Sequence, residues 1–159
     1  RAEGSVEVWL MSLLQASQES VHCIIRQASH YISDNQFDFL DFLGDSPVIG
    51  YHAPFDQRML ARSLKSNLGY DLRHRFFDLA EVAPMLCPQA RIYKGGLDAW
   101  VNYFGLEVLA RHSASADGLV TAELALILFS KARQQGITSL AALDEQLGSW
   151  RRKQNANSL

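Results

Sequence analysis

Pro47-Val48-Ile49-Gly50-Tyr51-His52-Ala53-Pro54-Phe55-Asp56 is the stretch on which the reading of the chain turns. Val48 and Ile49 form a short apolar run between turn residues, which predicts a buried strand of a parallel sheet. Pro54 suits the first turn of a helix, where its missing N–H costs nothing. Phe55, Met59, Leu60 and Leu64 then recur at helical spacing until Gly69. The product is a βα unit. Open α/β sheets gather ligands beyond the carboxyl ends of their strands, and Asp56 stands there. The bland alternative is a surface carboxylate that complements the positive end of a helix, and this stretch alone leaves both open.

Outward from that unit the same signals recur. Val6 to Leu14 is rich in strand formers and predicts a strand. Glu19 to Tyr31 is ambiguous and reads as a short helix and a loop, and Asp34-Asn35 can cap a helix carrying Phe37, Phe39, Leu40, Phe42 and Leu43 up to Gly44. Downstream, Arg75 to Leu79 predicts a second strand of the βα region. It leads into Ala80 to Leu86, where Pro88 stops any helix. Gly95-Gly96 precede a helix with Leu97, Trp100, Val101 and Phe104, ended by Gly105. Ser115 to Arg133 is the longest helical pattern, closed by Gly136. A last helix from Ser139 uses Leu140, Leu143, Leu147 and Trp150. Residues 1–150 read as one α/β domain in which helices outnumber strands, and residues 151–159 as a frayed basic tail.

Composition narrows the function classes. The chain has 159 residues, 48% of them hydrophobic, enough for one real core. Lys and Arg number 15 against 17 Asp and Glu, a formal net charge of -2, which excludes a histone-like blanket of positive charge. No run of about 18 uncharged apolar residues suggests a membrane span. The opening residues lack the basic start of a signal peptide. Cys23 and Cys87 stand far apart with no CxxC, the pattern of buried thiols in a reducing cytoplasm. His22, His30 and His74 have no zinc spacing, and G-x-G-x-x-G, Walker and G-x-S-x-G motifs are absent.

The second informative stretch is Arg111-His112-Ser113-Ala114-Ser115-Ala116-Asp117. It puts a histidine in a loop and an aspartate in the first turn of the long helix. A strand ending in a polar-aromatic-Asp turn comes first, followed by Phe77-Asp78-Leu79, Leu97-Asp98-Ala99 and Arg111-His112 with Asp117. In that order and setting the chain resembles the DEDDh, DnaQ-like 3′-to-5′ exonucleases, a family that includes the proofreading epsilon subunit of bacterial DNA polymerase III. The resemblance runs from about Val21 to Arg133, and Val21-His22-Cys23-Ile24 is similar to a worn form of the family's Ile-His-Gly-Ile turn.

That resemblance implies an RNase H-like mixed sheet flanked by helices and a cytoplasmic enzyme trimming single-stranded DNA or RNA 3′ ends. It implies two Mg²⁺ or Mn²⁺ ions held by four acidic residues, and a histidine that activates water. Residue by residue, Asp56 matches the second-motif aspartate, Asp117 the third-motif aspartate and His112 the general base. Phe55 matches the aromatic lining the terminal-nucleotide pocket. His52 would touch the same nucleotide, although Tyr51-His52 stands where many members have His-Asn. Asp78 and Asp98 match recurring positions that are not usual metal ligands, and read as a strand-end and a helix-cap residue. Partners implied are a polymerase or other replication or repair protein, and a homodimer occurs among relatives. Arg58, Arg62, Arg91, Lys94 and Arg111 can steer phosphates, with Arg58 and Arg62 read first as a solvated helix face.

One family feature has no counterpart. The first motif, an Asp-x-Glu, is missing from the acids before Asp56, which are Glu3, Glu7, Glu19, Asp34, Asp38, Asp41 and Asp45. The expectation is a chain lacking its first strands, with that motif upstream of Arg1. Such a chain would be weakly active or inactive, because Mg²⁺ needs several well-placed oxygens. The rivals are a non-catalytic module of the same fold, binding nucleic-acid ends or a protein partner, and an RNA-trimming exoribonuclease.

Overall fold

The computed structural model describes residues 40–41, 43–93, 95–108 and 114–156. In order these form β1 (Val48–Gly50), α1 (Ala53–Leu68), β2 (Phe76–Asp78), α2 (Leu79–Leu86), a 3-10 turn (Pro88–Ala90), α3 (Leu97–Phe104), α4 (Ala114–Gln134) and α5 (Leu140–Ala156). The class is α/β, as expected. Among the described residues the sheet has two strands and is parallel, with Val48 opposite Phe76, Ile49 opposite Phe77 and Gly50 opposite Asp78. The strand expected at Val6 to Leu14, the helix start at Asp34-Asn35 and Cys23 lie outside the described residues.

Sequence punctuation sets the boundaries. Pro54 sits in the first turn of α1, and Gly69 ends it in the left-handed conformation at φ 65°, its N–H bonding back to the last turn. Asp78 caps α2, its carboxylate accepting from the Ala80 N–H. Gly96 caps α3, so Asp98, read as the cap, instead lies in the first turn. The reason is reach: two residues inside the helix, a side chain no longer stands at the N-cap position. Ser139 Oγ accepts from the Ala142 N–H at the head of α5.

The core gathers on the α2 side of the sheet. Phe77, Leu79, Val82, Leu86 and Cys87 pack with Trp100 of α3, Leu124 and Leu128 of α4, and Leu143 and Leu147 of α5. Cys87 is a free, buried thiol whose pKa burial pushes up, which leaves it unreactive. β1 differs from expectation in being half-buried rather than buried. β2 flanks it, and α1 and α4 pack against it.

The carboxyl end of α5 corrects the sequence reading. The helix continues through Ala156, where fraying from Arg151 was expected. Arg151 supplies a reason: its guanidinium Nε donates to Glu81 Oε1 on α2 at 3.0 Å, and its Nη2 donates to Oε2. Arg75 and Asp144 form a second ion pair between the β2 approach and α5. A bidentate Arg–carboxylate pair of this kind holds geometry better than a single surface contact.

Candidate functional site

The site is built at the level carboxyl ends of β1 and β2. Gly50 and Asp78 face each other there, and the chain leaves β1 through Tyr51-His52 into α1. His52 adopts the left-handed conformation, φ 61° and ψ 40°. A residue with a Cβ pays about 1 to 3 kcal/mol for such a conformation unless its surroundings hold it. Here Asp78 holds it. Its buried Oδ1 accepts from the His52 N–H at 2.8 Å and from the Ala80 N–H at 3.0 Å, so one carboxylate fixes the β1–α1 turn and the start of α2 together.

Tyr51 ties the turn to a third segment. Its hydroxyl donates to the Gly95 carbonyl at 2.7 Å, and its ring meets the His52 imidazole edge-on with centroids 4.9 Å apart. Burial first, and the Asp78 charge second, push the Tyr51 pKa up to about 12, opposed by a hydrogen bond with Trp100. Gly95 is required by close approach: a Cβ there would stand 2.5 Å from Ile92 Cγ2 and 2.7 Å from Ala99 Cβ.

Asp56, in the first turn of α1, turns its carboxylate back over the strand end. Its Oδ2 lies 3.4 Å from where a Cβ on Gly50 would be. Desolvation raises its pKa from the ordinary 3.8, the negative charge of Asp78 raises it further, and His52 opposes the shift. The Asp56 carboxylate thus stands partly desolvated and within reach of the Asp78 charge, a setting that favours a proton or a cation at Asp56. His52 and Phe55 are exposed beside it.

Asp117 lies half-buried in the first turn of α4, with its carbonyl accepting from Thr121 Oγ1 at 2.7 Å, and α4 packs on β1. His112 lies outside the described residues. The structure therefore brings Tyr51, His52, Asp56 and Asp78 together at one strand end. The donor chemistry of Asp56 and Asp117, hard carboxylate oxygen, fits Mg²⁺ or Mn²⁺ in kind. In number it falls short: among the described residues no group of three or more His, Cys, Asp or Glu side chains converges as a metal cage.

The organising role of Asp78 was legible only in half. Its place at a strand end and helix start follows from Phe77-Asp78-Leu79-Ala80-Glu81, which has the spacing of a capping box. Its grip on His52, 26 residues earlier, has no local signal.

Comparison with known proteins gives two groups of relatives. The chain is 32% identical over 108 residues to DNA polymerase III PolC-type of Thermotoga maritima, 68% of this chain and 8% of the relative. It is 27% identical over 112 residues to the PolC-type polymerase of Bacillus subtilis, 70% of this chain and 8% of the relative. A separate similarity, 52% over 47 residues, joins 30% of the chain to 1% of dynein axonemal heavy chain 5 of Rattus norvegicus. The chain thus spans a small part of each relative. No family model and no solved structure matches it. Among the described residues no helix is long and apolar enough to cross a membrane.

Proposed function

We propose that the chain is a 3′-to-5′ exonuclease region of a polymerase III-type replication protein, working on the 3′ end of single-stranded DNA. The observation carrying this reading is the turn at Gly50 to Asp56. A strained histidine is pinned by a buried carboxylate, and a second carboxylate with raised pKa faces the same strand end. Similarity to PolC-type polymerases over about two thirds of the chain supports the same assignment and favours DNA over RNA.

In this reading Asp56 and Asp117 are two of the oxygen donors to Mg²⁺ or Mn²⁺, which when bound would neutralise charge on the attacking and leaving phosphate oxygens. Two carboxylates fall short of a complete cage, and in this reading an Asp-x-Glu of the family type would supply the other donors. His112 takes a proton from the attacking water, a role suited to an imidazole near neutrality. His52 and Phe55 hold the terminal nucleotide, and the RNase H-like arrangement extends the two described strands. A polymerase is the natural partner, and the setting is cytoplasmic.

The test uses the full chain with 5′-labelled oligodeoxynucleotides carrying either a 3′-hydroxyl or a 3′-phosphate, in Mn²⁺. The expected result is preferential binding of the hydroxyl end and slow stepwise shortening from it. Asp56→Ala should abolish the shortening, and His112→Ala should slow it by roughly 10² to 10⁴. Equal binding of both ends with no shortening would refute the assignment.

A further inference from the structure

We infer that the exposed face of α1 is a track for single-stranded nucleic acid leading away from the turn at His52. This rests on the exonuclease reading and names the path of its substrate. Phe55, Arg58, Met59 and Arg62 fall at i, i+3, i+4 and i+7, which places them on one face of the helix. All four are exposed, Phe55 by 60% and Met59 by 52%, while Ala53 and Leu64 mark the buried face. Neither guanidinium has an ion-pair partner among the described residues; Lys65, further along, is held by Asp71.

Exposed apolar groups alone identify no occupant, but their interleaving with charge does. A nucleotide strand presents anionic phosphates beside flat base faces. Guanidinium groups bind phosphate oxygens in a fork, and bases stack on aromatic rings without regard to sequence. Arg58 and Arg62 stand about 6 Å apart along the axis, the rise of four helical residues. That is comparable to the stride of an extended nucleotide chain. The stripe begins at Phe55, next to Asp56, so it is continuous with the candidate site. In a chain of net charge -2 a basic stripe is not a by-product of overall composition. An acidic protein segment would satisfy the arginines but would leave the ring of Phe55 without a stacking partner.

The test compares the full chain with the Arg58→Gln/Arg62→Gln double variant. Both residues are exposed, so circular dichroism and thermal midpoint should be unchanged. Fluorescence anisotropy with a short oligothymidylate is read across salt, and thymidine monophosphate, which reaches only the terminal position, is titrated in parallel. Losing two phosphate contacts should flatten the slope of log affinity against log salt by about 1.4. Between 50 and 200 mM salt the wild type should therefore lose about sevenfold more affinity than the variant. Monophosphate binding should not change.

Identical slopes in the two proteins, with 3′ shortening intact, would overturn the track and leave the exonuclease reading standing. An arginine-dependent slope with equal binding of 3′-hydroxyl and 3′-phosphate ends and no shortening would keep the track and remove that reading. Arginine-dependent binding of an acidic peptide in place of the oligonucleotide would overturn the track in favour of a protein partner.

Discussion

Removing the Asp78 carboxylate is the perturbation that reaches furthest, because that one group ties the β1–α1 turn to the start of α2. Asp78→Ala deletes the cap of α2, worth about 1 kcal/mol for a typical N-cap. It also deletes the charge-assisted bond from the His52 N–H, worth about 1.5 to 3 kcal/mol. With the side chain buried and both bonds short, the two losses together come to about 3 kcal/mol. Asp78→Asn keeps an acceptor of the same shape and should lose about 1 kcal/mol, the difference between a charged and a neutral acceptor. Urea unfolding followed by circular dichroism gives both values.

The same pair of variants separates charge from shape at the site. The Asp78 charge contributes to the raised pKa of Asp56 and of Tyr51. In Asp78→Asn, a carboxyl carbon titration followed by NMR should therefore show Asp56 moving down towards 3.8, with the desolvation part of its shift remaining. An alanine variant as stable as the wild type would refute the pinning of His52. An asparagine variant with Asp56 titrating as before would refute the coupling of the two carboxylates.

Three further outcomes follow from the geometry. His52→Gly relieves the left-handed strain and should stabilise the chain by about 1 kcal/mol in thermal unfolding, while weakening nucleotide binding. Gly95→Ala forces a methyl group against Ile92 and Ala99 and should cost about 1 to 3 kcal/mol by the same assay. For Asp56 the folded pKa lies above the unfolded one, so its contribution to stability is complete below 3.8 and is lost as pH rises through the raised value. Asp56→Asn should flatten stability across that acid range, as chemical unfolding at a series of pH values would record.

Much of the fold was legible because its boundaries are written in local chemistry. Pro54 at the start of α1, with Gly69, Gly105 and Gly136 in left-handed conformation, marks ends that need no distant partner. What escaped was held by contacts remote in sequence. Residues 151–156 carry no apolar period, and their helix is tied by Arg151 to Glu81, seventy positions away. The half-burial of β1 likewise depends on which elements lie beside it, not on the composition of Val48–Gly50.

The candidate site divides along the same line, and the division has a physical meaning. Residue types could be chosen from sequence: an acid at the first turn of a helix after a strand, with an aromatic before it. The conformation that makes them a site could not. His52 is held in a strained turn by a carboxylate on the neighbouring strand, and the pKa of Asp56 is raised by desolvation first and by that same carboxylate second. Stability alone would relax both features, with glycine at position 52 and a neutral residue at position 56. Their coexistence around one buried aspartate is what a structural role for Asp78 alone leaves unexplained. On the proposed function, a cation bound beside a phosphate would compensate the charge that gathers there.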